Sequence, residues 1–158
     1  MKKFLLSVIT LVAFSGFASA QTTFAGPSFS GISLPTNSGF SVTLLSLGGQ
    51  VGVYNLAGPL GVRATVDATI SPISGLFLLS GDLLFASGGD TNIYGGAGFG
   101  IIAGGGATAP LAKGFVGVEF PASEGLGIFV ELDPHFAIQT GNFFIGARAG
   151  VNFLIGGY

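Results

Sequence analysis

The stretch 126–139 reads Leu-Gly-Ile-Phe-Val-Glu-Leu-Asp-Pro-His-Phe-Ala-Ile-Gln, and it sorts by parity. Leu126, Ile128, Val130, Leu132, Phe136 and Ile138 fall on one parity; Glu131, Asp133, His135 and Gln139 fall on the other. Successive side chains of a strand point to opposite faces, so the segment predicts a strand with one apolar face and one face bearing three ionisable groups. Residues 60–70 repeat the pattern, with Leu60, Val62, Ala64, Val66, Ala68 and Ile70 set against Arg63, Thr65, Asp67 and Thr69. Alternation alone fits any half-buried strand. Composition decides which face meets solvent.

Residues 1–20 read as a secretory signal. Lys2 and Lys3 are followed by a mostly apolar run from Phe4 to Phe17, then by Ala18-Ser19-Ala20 as a small-x-small cleavage site. The apolar run is short for a membrane span of about 20 residues. The expected mature chain, 21–158, keeps three basic residues (Arg63, Lys113, Arg148) against seven acids, a net charge of −4. A soluble surface carries about 25–35% charged residues, far more than these ten charges supply. No segment after residue 20 is apolar for long enough to form a membrane helix. The apolar residues lie instead in short alternating runs. A β-barrel with an apolar outer band and a polar interior accommodates such a chain. Cysteine is absent, so an exported chain of this size relies on strand closure and burial rather than on disulfides. The mildly acidic balance gives no nucleic-acid footprint.

Clusters of Gly, Pro, Asn and Ser divide the chain into eight expected strands near 22–30, 40–55, 60–70, 75–86, 92–103, 113–120, 126–139 and 143–155. Eight strands of about ten residues with their turns fill the chain, and an even count returns both termini to one side. With the N-terminus in the periplasm, 56–59, 87–91 and 121–125 are periplasmic turns. The outer loops are then 31–39, 71–74, 104–112 and 140–142. Within 40–55, Val42 and Leu44 share a parity that Leu45, Leu47, Val51 and Val53 do not. A register change near Leu44-Leu45 or a bulge near Gly48-Gly49 reconciles them. Pro27 and Pro134 each remove a ladder donor, and Pro134, in mid-strand, needs a bulge or a break in pairing.

The alternating strands, the signal peptide and the final strand 143–155 before the terminal aromatic Tyr158 make the chain resemble the small eight-stranded outer-membrane barrels, the OmpA-type and OmpX-type transmembrane domains. The resemblance covers the whole of 21–158 as a pattern and not as a motif. It implies an all-β, antiparallel, up-and-down transmembrane barrel in an outer membrane, surrounded by outer-membrane lipid. It also implies that the barrel-assembly machinery reads the C-terminal strand.

The expected interior charge network is Arg63, Asp67, Asp82, Glu119, Glu131, Asp133, His135 and Arg148. The interior of an eight-stranded barrel is just wide enough for side chains to fill, which favours a structural network over a catalytic or selectivity cluster. If Ile70 pairs with Gly75, Arg63 lies opposite Asp82. If Ile138 pairs with Phe143, Asp133 lies opposite Arg148, with Glu131 and His135 one step either way. Opposite charges across adjacent strands support such a register. His135 stands between acids, but no nucleophile signature accompanies it, and no His/Cys spacing marks a metal site. No catalytic, cofactor or metal residue is therefore assigned, and no cofactor is expected. Gly96, Gly98 and Gly100 form an inward face without bulk, leaving room for larger residues opposite. With no helix to follow, they do not form a phosphate loop. Tyr54, Tyr94 and Tyr158 are placed near the periplasmic rim as interfacial aromatics, with lumen fill as the alternative for Tyr54 and Tyr94. Without tryptophan, phenylalanine supplies most of the aromatic girdle.

The expected role is a small outer-membrane barrel supporting envelope integrity, with a largely filled lumen and no enzymatic activity. The alternatives are a narrow channel for small solutes and a soluble secreted β-sandwich or barrel that binds an apolar ligand or self-assembles. The soluble alternative turns the charged parity outward.

Overall fold

A computed structural model describes residues 21–35, 41–72, 75–89 and 91–156. Its strands are β1 (Thr22–Pro35), β2 (Ser41–Ala57), β3 (Leu60–Ser71), β4 (Phe77–Ala86), β5 (Asn92–Gly104), β6 (Ala107–Ser123), β7 (Leu126–Ala137) and β8 (Phe143–Ile155). Each strand pairs antiparallel with its neighbours in sequence, and β8 returns to β1, closing the barrel. Closure leaves no unpaired sheet edge, which is what allows strands to stand in an apolar medium. The expected cleavage segment 1–20 and Tyr158 lie outside the described residues.

Several connections are tighter than the sequence suggests. The expected loop 104–112 shrinks to Gly105-Gly106, because Gly104 pairs with Ala107 and the ladder continues through Pro110 opposite Ile101. Both loop residues have positive φ, 60° and 82°. Paired positive φ values suit a two-residue turn to the twist of the flanking strands, and glycine adopts them without steric cost. The expected loop 31–39 is likewise strand as far as Pro35, and the expected turn 121–125 reduces to Glu124-Gly125.

Both prolines are absorbed in the same way, paired on one side and set in a lapse of the ladder on the other. Pro134 keeps its place opposite Ile145 of β8. On the β6 side the ladder lapses between Lys113↔His135 and Val116↔Leu132 without changing register, so the proline breaks pairing and makes no bulge. Pro27 pairs with Gly49 of β2 and sits where the β1–β8 ladder lapses between Ala25↔Phe153 and Ser28↔Gly150. The β2–β3 pair shifts register at Leu45/Ser46, one residue from the expected place, where Ile70 of β3 is passed over. The shift does not turn Leu44 outward. Leu44 stays buried in the lumen, and no shift occurs at Gly48-Gly49.

The two parities separate as charge requires. Val66, Leu79, Leu83, Val130, Leu132 and Ile145 are exposed on the outer wall, while Arg63, Asp67, Asp82, Glu131, Asp133 and Arg148 are buried within. The charged parity is therefore inside, opposite to the arrangement that the soluble alternative requires. Phe77, Phe136 and Phe143 stand exposed toward the loop ends of their strands, and Phe85, Phe120 and Phe153 toward the turn ends. These are the positions of an aromatic girdle built from phenylalanine.

Candidate functional site

Among the described residues the ionisable side chains other than Glu124 gather in the lumen, and neighbouring strands make room for them by presenting glycine. A Cβ on Gly98 would lie 2.1 Å from Asp82 Oδ1, and one on Gly48 would lie 2.2 Å from Asp67 Oδ1. Gly96 faces the Phe115 ring in the same way, at 2.8 Å. The inward glycine face expected on β5 is therefore a set of recesses for side chains of β4 and β6.

Arg63 is the hub. Its Nε donates to Asp82 Oδ2 at 2.9 Å, and its Nη2 donates across the lumen to Glu131 Oε1 at 3.0 Å, with Nη1 to Oε2 as the second arm of a fork. Arginine's planar fork matches a carboxylate in this bidentate manner. Lys113 Nζ approaches the same Asp82 Oδ2 at 3.0 Å. The Arg63 guanidinium also lies 4.3 Å from the centroid of the Phe115 ring, within cation–π range. From Arg63 a second chain of contacts runs through Gln50 (3.4 Å) to Asn152 (2.8 Å), whose amide donates to Glu119. The Tyr54 hydroxyl donates to the same Glu119 oxygen at 3.2 Å.

Arg148 centres the other half. Its Nη2 donates to Asp67 on β3, its Nε lies 3.8 Å from Asp133 Oδ2, and Ser30 Oγ donates to Asp67 Oδ1 at 3.4 Å. Three cations (Arg63, Lys113, Arg148) and five carboxylates (Asp67, Asp82, Glu119, Glu131, Asp133) are thus buried together in the lumen.

The belt is bounded by two apolar layers. Toward the turns lie Phe24, Tyr54, Leu84, Ala86, Tyr94, Phe115 and Leu154, with Phe24 and Tyr54 stacked at 4.3 Å. Toward the loops lie Ile32, Leu78, Leu111 and Phe144, joined by Ile102 and Ala137. His135 sits against this second layer, its ring stacked on Phe144 at 5.2 Å, with Lys113 opposite on β6. Among the described residues no hydroxyl hydrogen-bonds to it.

All eight members of the network are buried in the lumen, and Arg63 faces Asp82 as the hairpin predicts. Arg148 does not face Asp133: it pairs with Glu131, and Asp133 pairs with Gly146. The backbone hydrogen bonds beyond Phe136 accompany the two-residue slip. The Ile138 N–H donates to Pro110 O of β6 at 3.1 Å, and the Ala137 N–H to Asn142 O at 2.8 Å. The hairpin closes at Phe136↔Phe143, not at Ile138. Tyr54 and Tyr94 are not at the membrane interface; both are buried in the turn-side layer. Lys113 is a network member that sequence reasoning passed over. Its parity, shared with Glu119, was sufficient to include it.

This geometry makes a coupling prediction. In a double-mutant cycle on the refolded barrel, Arg148→Ala with Asp67→Ala should show an interaction energy of about 1–3 kcal/mol, and Arg148→Ala with Asp133→Ala distinctly less. Denaturant midpoints supply the readout, and strict additivity for Arg148 with Asp67 would contradict the cross-lumen pair.

No protein-family model and no curated protein matches the chain by sequence. Solved structures do match it. The crystal structure of Neisserial surface protein A (NspA) superposes with a TM-score of 0.58 at 17% identity, over 85% of this chain and 97% of that one. The N-terminal β-barrel domain of Pseudomonas aeruginosa OprF gives 0.57 at 17% identity, over 84% and 97%. The fold is that of a small outer-membrane barrel. Ail, the attachment invasion locus protein of Yersinia pestis, solved with the heparin analogue sucrose octasulfate, gives 0.53 at 12% identity over 85% and 97%. At such identities the barrel shares an architecture with these proteins, and its lumen is described from its own side chains.

Proposed function

We propose that the protein is a membrane-spanning barrel of an outer membrane with a structural, envelope-integrity role, carrying neither solutes nor catalytic chemistry. What supports this reading is a belt of paired charges across the lumen, set between two apolar layers. An ion crossing it would have to part Arg63 from Asp82 and Glu131 and pass the rings of Phe24, Tyr54, Tyr94 and Phe115. Around the wall, apolar side chains form the surface that outer-membrane lipid would cover. Shallow grooves such as the one of about 660 Å³ between Phe29, Val130, Leu132 and Ala149 suit acyl chains. The resemblance to outer-membrane barrels supports export through a cleaved 1–20 segment and assembly by the machinery that reads the final strand.

Two measurements test this reading. Cell fractionation should place the mature chain, beginning at Gln21, in the outer membrane, and the unboiled protein should migrate faster than the boiled protein on an SDS gel. Recovery as a soluble, detergent-independent species would end the proposal. In planar bilayers the purified barrel should show little or no steady conductance. Large, stable open steps would favour the narrow-channel alternative instead.

A further inference from the structure

For a barrel spanning a membrane as proposed above, the distribution of charge selects the lipid. We propose that this barrel is matched to a bilayer of electrically neutral headgroups, and that an anionic leaflet opposes its assembly. The only cations of residues 21–158 are Arg63, Lys113 and Arg148. All three are enclosed in the lumen, at 4%, 5% and 3% exposure. Once residues 1–20, with Lys2 and Lys3, are removed, no positive side chain remains for either rim.

What the rims do present is uncharged or acidic. Toward the loops, Ser71, Thr108, Gln139, Thr140 and Asn142 are exposed hydroxyls and amides. Toward the turns, Glu124 is exposed in the turn between β6 and β7, the one ionisable side chain among the described residues that reaches solvent. The enclosed charges do not offset it, since the lumen holds three cations against five carboxylates. Basic residues near an anionic leaflet each contribute about 1 kcal/mol of attraction, about fivefold in affinity. This barrel lacks that attraction, and Glu124 reverses its sign. Hydroxyl and amide rims instead complement headgroups that hydrogen-bond without net charge.

The test is refolding of urea-unfolded 21–158 into phosphatidylcholine vesicles with and without phosphatidylglycerol of the same acyl chains, followed by the heat-shifted gel band. At low ionic strength the wild type should fold several-fold more slowly, or to lower yield, when phosphatidylglycerol is present. Added salt should remove the difference, because it shortens the range of surface electrostatics. Asn142→Arg should recover about fivefold in the anionic vesicles, Glu124→Lys, which changes the charge by two, more than that, and both should change little in the neutral ones. Equal or faster folding of the wild type with phosphatidylglycerol overturns the proposal. So does a slowing that neither salt nor the two rim variants alter, since that would not be a charge effect. Failure to fold in either vesicle would bring down the membrane-spanning reading itself, and so is distinguishable from failure of the headgroup preference alone.

Discussion

Arg63→Met is expected to destabilise the barrel by about 3–5 kcal/mol, because it strands two carboxylates in a space from which water is largely excluded. The side chains of Asp82 and Glu131 have no measurable exposure, and both meet the Arg63 guanidinium. Lys113 remains beside Asp82 at 3.0 Å and softens the loss on that side. Glu131 loses its bidentate partner. Removing Glu131 together with Arg63, as Arg63→Met with Glu131→Gln, should therefore cost less than Arg63→Met alone. The measurement is a denaturant titration of the refolded barrel, comparing midpoints at unchanged slope. A single variant within about 0.5 kcal/mol of wild type would mean that the belt is open to water and that its pairs are screened as surface pairs are.

The second large effect belongs to the outer wall. Val66→Arg and Val130→Arg each place a guanidinium among apolar neighbours near mid-strand, at an expected cost of about 2–4 kcal/mol if these positions lie at the bilayer midplane. Val66 is 46% exposed and Val130 48%, so neither change creates a cavity, and Val66→Phe should be nearly neutral. That contrast isolates lipid exposure from packing. Tolerance of both arginines would contradict an apolar surround. Thr65→Arg, on the lumen side, would not serve as a mild control. Thr65 is buried and shares a 2.7 Å hydrogen bond with Ser80, so an arginine there would break that bond and crowd the lumen.

The slip in the last hairpin shows where reading along the chain stops. Arg63 and Asp82 are brought together by one short connection, and that pairing follows from parity and turn length alone. Arg148 was set against Asp133 by the same reasoning, which failed by two residues. Beyond Phe136 the segment is also held from outside the hairpin, by the hydrogen bond from Ile138 to Pro110 of β6, so turn length alone does not give the register. Tyr54 and Tyr94 failed for a related reason. Their parity put them inside, but their position near the strand ends suggested a rim, and only the assembled lumen reveals an apolar layer there for their rings to fill.

The amino-acid order by itself therefore determined eight strands, their alternation, the sorting of charge and apolar bulk onto opposite faces, and the one charge pair that a short hairpin enforces. These are local properties, set by a two-residue period and by which residues can turn. The partners across the lumen belong to the tertiary structure. Arg63 meets Glu131 from 68 positions away and Arg148 meets Asp67 from 81. So do the two apolar layers that close the ends. A contact across a closed barrel depends on every intervening register at once, including the shifts at Leu45/Ser46 and Pro121/Ser123. One bulge moves all that follows it around the wall, so closure decides which side chains meet in the middle.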